Sequence, residues 1–258
     1  MWLMRIKQWF KSPAIMLFLL APVIGELLSG SAPPVEFFNP FGFILLTSLY
    51  GSGALVIREL RVRWNKSIGT MLSLGAAYAM IEEGLMVASF FNPQWPDLGQ
   101  LSMYGRWLGV NWVWAVMLTI YHAVYSIAIP ITLVELVYSD RRQQPWVSQC
   151  MLRAIAALFL GVVTFGFFTF NIFAGYTPPP VPYLGTCVLV LVFGYVAYHL
   201  PVAWGHGDTA MLSPKLLWLF GVVGTFGFFF GFWLMPSIIP AWPEGLFMSL
   251  ILLSSAIA

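Results

Sequence analysis

Long apolar runs, separated by short polar or proline-rich breaks, set the pattern of this chain. A bilayer core of about 30 Å needs roughly 20 apolar residues per helix. Eight segments meet or approach that length: 13–30, 41–58, 67–90, 111–138, 151–173, 184–204, 216–238 and 244–258. The runs are unbroken, whereas an outer-membrane barrel would show short strands of alternating polarity. The pattern therefore predicts an all-α fold, a polytopic transmembrane helical bundle of about eight helices. Alternate breaks are rich in proline: Pro33 and Pro34, Asn-Pro-Gln-Trp-Pro at 92–96, Thr-Pro-Pro-Pro at 177–180 and Pro-Ala-Trp-Pro at 240–243. Proline fixes φ and cannot continue a helix, so these breaks are expected to be stiff, tight turns.

Composition supports the same class. Of 258 residues, 60% are hydrophobic and 9% charged. Soluble domains carry about 25% charged residues, so a soluble fold could not cover its surface from this supply. Disorder needs low hydrophobicity and high charge. Where the charges fall says more than their number. With the N-terminus inside, Arg5, Lys7, Lys11, Arg58, Arg61, Arg63, Lys66, Arg141, Arg142, Arg153 and Lys215 lie on the inner side, 11 of the 12 basic residues, leaving Arg106 outside. Positive charge marks the cytoplasmic face. The chain reads as an integral multi-pass protein of the cytoplasmic membrane, with the proline-rich breaks outside. Cys150 and Cys187 fall near opposite faces and outside any metal pattern, so no bridge between them is expected. Pro22 and Glu26 interrupt the first apolar run, which a cleaved signal segment would lack. The last run has 15 residues and no polar flank, so the natural chain is expected to continue past Ala258.

An internal repeat divides the chain. Thr164-Phe165-Gly166-Phe167-Phe168 recurs as Thr225-Phe226-Gly227-Phe228-Phe229, preceded by Gly161-Val162-Val163 and Gly221-Val222-Val223. The fifth and sixth helices and the seventh and eighth thus read as a parallel repeat of one hairpin. The expected organisation is an N-terminal four-helix half, 1–150, carrying the chemistry, and a C-terminal half, 151–258, of duplicated hairpins without charge in their helix cores. That half reads as scaffold. It faces the lipid bilayer, and its Phe/Gly-rich helices offer contacts to other membrane subunits.

Ionisable groups inside a membrane are costly, so each is a site hypothesis. Of ten acidic residues, seven fall in loops or at helix ends, leaving Glu26, Glu82 and Glu83. At about 1.5 Å per residue they sit roughly 6–10 Å below the outer surface, with His122 near the midplane, so the four could share one layer. Thr119, His122 and Ser126 form a stripe on one helix, and Pro130 follows. Pro22 stands one turn before Glu26. Broken helices beside buried carboxylates are a pattern of transport sites. Small residues Gly75, Ala76 and Ala79 precede the Glu pair and admit close neighbours. The substrate- or proton-binding candidates are therefore Glu26, Glu82, Glu83, Thr119, His122 and Ser126. Glu135 is expected to pair with Arg58 at the inner face, and His199 to sit at a helix end. No Gly-rich phosphate loop, nucleophile elbow or His-Glu-x-x-His motif occurs. A nucleotide site, a nucleic-acid partner and a bound cofactor are accordingly not expected.

A Glu pair in one membrane helix followed by a His in the next resembles the CAAX-protease-like intramembrane metalloprotease superfamily, whose motifs read Glu-Glu-x-x-x-Arg, Phe-x-x-x-His and His-x-x-x-Asn. Glu82-Glu83 and His122 match, while Val87, Leu118 and Ala203 replace the Arg, Phe and Asn. The resemblance implies a catalytic set of Glu82, Glu83 and His122 acting with a divalent metal, for which Glu83 and His122 are the candidate ligands. Tyr50-Gly51-Ser52-Gly53-Ala54, Ile57-Arg58-Glu59-Leu60 and Gly75-Ala76-Ala77-Tyr78 before Glu82-Glu83-Gly84 look like a group of uncharacterised bacterial multi-pass proteins, which implies no activity. Three readings stay open: a transporter or permease with a carboxylate–histidine site, a metal-dependent intramembrane hydrolase, and a non-catalytic membrane scaffold.

Overall fold

The computed structural model describes residues 12–202 and 213–238. Among them run seven long helices: α1 (Pro13–Leu27), α2 (Pro40–Arg63), α3 (Ile68–Ala79 continued by Met80–Met86), α4 (Trp112–Val137), α5 (Gln149–Ile172), α6 (Pro180–His199) and α7 (Pro214–Ile238). By length and composition α2, α4, α5, α6 and α7 can each cross a membrane, and α1 is a shorter apolar helix. The segment predicted at 244–258 lies outside the described residues. The helix starts follow local chemistry. Proline opens α1, α2, α6 and α7, where its missing N–H costs nothing and its φ suits the first turn. Asn39, Asn111 and Ser148 cap α2, α4 and α5 by accepting from the N–H of Phe41 (3.0 Å), Trp114 (3.0 Å) and Met151 (3.2 Å).

The bundle has a centre and a periphery. About half of the apolar stretch of α2 and α4 is buried, against 6–17% in α5, α6 and α7. The outer three expose Leu160, Leu191 and Phe220 among many large apolar side chains, a surface suited to lipid. At the centre α3 lies against α4, and a Cβ on Gly75 would stand 2.7 Å from the Ala123 Cα. That backbone approach requires glycine. On its other sides α3 receives α6, through Thr70 Oγ1 donating to the Ala197 carbonyl (2.9 Å) and Ser73 Oγ to that of Phe193 (2.8 Å). It receives α5 through Asn171 Nδ2 on the Met86 carbonyl (2.7 Å). The two copies of the sequence repeat meet unlike surroundings: Gly166 is buried against Met86, while a Cβ on Gly227 would meet nothing within 4 Å.

The proline-rich end is capped by the α3–α4 connection. It folds back on itself through a short antiparallel hairpin, β1 (Arg106–Trp107) and β2 (Val110–Asn111), over a core that includes Phe90, Phe91, Leu98 and Leu101. Arg106 is used inside this cap, donating to the carbonyls of Phe91 (2.8 Å) and Ser102 (3.1 Å).

The basic end is fastened by Arg58, which is fully buried. A guanidinium has five N–H donors in a planar fork, and five acceptors surround this one. Nη1 donates to Glu59 Oε1 (2.8 Å) and the Gln144 carbonyl (2.7 Å), Nη2 to the carbonyls of Arg141 (3.2 Å) and Arg142 (3.0 Å), and Nε to Glu135 Oε1 (3.2 Å). The Trp146 ring closes one face at 3.6 Å. The Arg58–Glu135 pair expected from the sequence is thus one bond of a network that ties the α4–α5 connection to α2. Removing one partner of a buried ion pair costs about 3–5 kcal/mol. Arg58→Ala is expected to lower the unfolding midpoint in detergent accordingly. Arg58→Lys keeps the charge but offers three donors without the fork, and it should recover less than half of that loss. A lysine variant as stable as the wild type would refute the five-bond account.

Candidate functional site

Glu26, Tyr50, Glu82, Glu83, His122 and Ser126 come from four helices, and each lies in a stretch where its helix widens to i→i+5 bonding. These stretches are Val23–Leu27 in α1, Thr47–Gly51 in α2, Met80–Met86 in α3 and His122–Ala128 in α4. The bonds Leu28 N–H to the Val23 carbonyl and Val87 N–H to that of Glu82, each 2.9 Å, are of this kind. Such π turns are rare and concentrate at functional sites. Two prolines adjoin them. Pro22 stands immediately before the α1 turn and Pro130 just after the α4 turn, so the kinks expected from the sequence take this form.

His122 is the hub. Its Nε2 is 3.1 Å from Glu83 Oε1, and its Nδ1 is 3.4 Å from Glu82 Oε2 and 3.1 Å from Ser126 Oγ. Adjacent glutamates on a helix cannot point the same way, and here they meet the two nitrogens of one ring. Glu83 Oε2 accepts from Ser89 Oγ, which in turn accepts from Trp114 Nε1 (3.0 Å). Ser89 reaches back because Ala88, at the end of α3, adopts a left-handed conformation (φ 55°), unusual for a residue with a side chain. Glu26 Oε1 accepts from the Tyr50 hydroxyl. A Cβ on Gly25 would lie 2.6 Å from the Tyr50 ring, so glycine beside Glu26 is what lets that tyrosine in. Tyr121 donates to the Gly25 carbonyl (2.6 Å) and fixes α1 against α4.

The set is short of donors. A neutral ring whose Nε2 donates to Glu83 leaves Nδ1 to accept from Ser126 and gives Glu82 nothing, whereas an imidazolium turns a second N–H toward Glu82 and Ser126. Glu82 Oε2 and the Tyr78 hydroxyl one turn earlier are buried neighbours, and neither makes a hydrogen bond of close geometry among the described residues. Glu82, Glu83 and His122 can each present one ligand atom with all three within 4.8 Å of one another. An imidazole nitrogen and two carboxylate oxygens suit a divalent cation such as zinc or manganese.

A cleft of about 180 Å³ ends on Glu26, Glu82, Glu83 and His122 and is also lined by Ser31, Trp95 and Asp97 from the proline-rich end. A second cleft of about 290 Å³ adjoins it, sharing Ser31, Asp97, Trp114 and Tyr121, with Phe228, Phe229 and Trp233 of α7 on its far wall. Asp97 accepts from Trp95 Nε1 (3.2 Å), and burial, followed by the charge of Glu83, holds its carboxyl above the usual range.

Of the six sequence candidates, Glu26, Glu82, Glu83, His122 and Ser126 come together. Thr119 does not: its hydroxyl returns to the Ala115 carbonyl (2.6 Å), and it lines an apolar groove shared with α6. The widened turn beginning at His122 breaks the regular stripe that would have aligned them. His199 packs against Tyr195 with tilted rings (4.2 Å between centroids) at the basic end of α6, away from His122. Tyr50, Tyr78, Ser89, Trp114 and Asp97 were not singled out from the sequence, since each is an unremarkable residue in an apolar helix or a loop.

The model of a family described as an uncharacterized membrane protein family matches residues 15–193, a stretch containing every member of the cluster. No curated protein and no solved structure matches the chain.

The two tyrosines separate by their partners. A buried hydroxyl that donates contributes about 1 kcal/mol, whereas an unpaired one carries a desolvation penalty. Tyr50→Phe, which removes a donor to Glu26, is expected to lower the unfolding midpoint in detergent more than Tyr78→Phe, whose hydroxyl makes no close hydrogen bond. The reverse order would contradict the bonding described.

Proposed function

The chain belongs to this uncharacterized membrane protein family, and we propose that it is a transporter-like protein that takes a divalent cation from the proline-rich side onto the buried cluster in exchange for protons. One observation carries the reading: three buried carboxylates and a single imidazole line one cleft together with Ser31, Trp95 and Asp97 of the proline-rich end. An unpaired carboxylate in an apolar interior is strongly unfavourable. One imidazolium offsets one of three charges, so the rest are balanced by bound protons or by a cation. Glu82 Oε2, without a hydrogen bond of close geometry among the described residues, is the atom most in need of either. Asp97 at the mouth adds negative charge that would raise the local concentration of cations. The partition of basic residues supports assigning the mouth to the outer side of the cytoplasmic membrane.

A second reading, a metal-dependent intramembrane hydrolase, is favoured by the compactness of Glu82, Glu83 and His122. There the metal would activate a water with one glutamate as base.

Purified wild type, Glu83→Gln and His122→Ala are compared by metal analysis and by uptake of Mn²⁺ or Zn²⁺ into proteoliposomes carrying internal metal and pH dyes. The wild type is expected to bind and accumulate metal while releasing protons, with each variant weakened about tenfold or more. Because metal displaces protons, affinity should fall as the pH drops from about 8 to about 6. Metal bound without uptake, together with cleavage of a membrane peptide, would favour the hydrolase. Wild type that neither binds nor accumulates metal would overturn both readings.

A further inference from the structure

At the opposite end from the cluster, the α2–α3 turn builds a second site. Asn65 ends α2 in a left-handed conformation (φ 52°), and the Lys66 N–H returns to the Arg61 carbonyl at 2.9 Å. Asparagine tolerates that conformation at a helix end. The chain then enters α3 at Ile68 within two residues. This tight reversal gathers Arg61, Lys66 and the N-terminus of α3 around a pocket of about 360 Å³, to which the α4–α5 connection adds Arg142 and α4 adds Glu135.

Among the described residues the charge of this pocket is unbalanced. Glu135 is already shared between Arg58 and Arg61. Lys66 Nζ spends one donor on the Leu200 carbonyl (2.6 Å), leaving two of the three an ammonium carries. Arg61 Nε is buried without a hydrogen bond among the described residues. Arg142 is exposed and contributes only its carbonyl to the Arg58 network. Three cations, one shared carboxylate and a helix N-terminus, whose first N–H groups lack intrahelical partners, make a setting for an anion with several acceptor oxygens. On the rim, Ile68 and Val202 are exposed apolar side chains. Trp64 packs edge-on against Tyr198 (5.2 Å), over which Lys66 also lies. Aromatic and basic residues in this combination are typical of the level of lipid headgroups.

We propose that this pocket binds a phosphate group, with Lys66 and Arg142 as its principal contacts and the α3 N-terminus behind them. The apolar rim favours the phosphate of an anionic phospholipid, whose acyl chains would leave past Ile68 and Val202. Basic pockets between membrane helices bind anionic headgroups in this way. The site is independent of the Glu/His cluster, and its test does not require transport.

The detergent-purified full chain is titrated with short-chain phosphatidylglycerol, short-chain phosphatidylcholine and inorganic phosphate. Phosphatidylglycerol is expected to bind more tightly than phosphatidylcholine. Lys66→Gln and Arg142→Gln should each weaken it about fivefold, the effect of one basic charge near an anionic headgroup. Arg153→Gln, an exposed substitution outside the pocket, should not. Melting midpoints confirm that the variants are folded. Inorganic phosphate displacing the lipid at millimolar concentration supports recognition of the phosphate, and phosphate binding as tightly as the lipid would assign the site to a soluble ligand instead. Equal affinity for the two lipids, or phosphatidylglycerol binding unchanged by both substitutions, overturns the proposal.

Discussion

A carboxylate in the apolar middle of a bundle persists as an anion only beside a donor or a cation, and three of them here share one imidazole. The arrangement of α1 to α4 answers to that constraint. The two nitrogens of His122 separate Glu82 from Glu83. Tyr50 serves Glu26, and Ser89 serves the far oxygen of Glu83. Each bond needs a backbone concession: a glycine at 25 so that a ring can approach, a left-handed alanine at 88 so that a serine can turn back, and a widened turn in every contributing helix. Regular α-helical geometry was given up four times around a single ring.

The two ends of the molecule treat buried charge in opposite ways. At the basic end, five donors of Arg58 meet five acceptors and an aromatic face, a closed account that leaves no room for a ligand. In the cluster, Glu82 Oε2 and the Tyr78 hydroxyl are left without hydrogen bonds of close geometry among the described residues, beside a cleft. Saturated polar networks rigidify a fold, while partly satisfied ones carry a cost that a ligand can relieve. This difference is the reason to read one network as a fastening and the other as a site.

Much of this was legible in the chain itself. Helix placement followed from run length, and Glu26, Glu82, Glu83 and His122 stood out because an intramembrane charge needs a reason to be there. Ser126 was found by its spacing from His122, and Thr119 was misaligned by the same reasoning, since a stripe assumes a regular helix and the widened turn begins between them. Tyr50 and Tyr78 appeared only inside the segments shared with other multi-pass proteins, a likeness that assigned them no role. Tyr50 and Tyr78 are two of ten tyrosines in a chain with 22 phenylalanines and 12 tryptophans, and only the crossing of helices decides which rings meet a carboxylate. Asp97 was a loop residue until the 96–101 segment was seen to fold over the cleft. Such long-range returns have no local pattern to read.

The two neighbouring glutamates of α3 also bear on what holds that helix in the bundle. α3 is not among the five helices apolar and long enough to cross a membrane by themselves, although it lies at the centre of the bundle. Glu82 and Glu83 stand in the last two turns of α3, where an acidic residue costs less than the about 2.5–3.5 kcal/mol of a helix centre but is still unfavourable in lipid. Small residues such as Gly75 and Ala76 contribute little to offset that cost. The partner both glutamates meet, His122, comes from α4, some forty residues later in the chain. Within the bundle, an acidic helix is thus made tolerable by a partner that a later helix supplies.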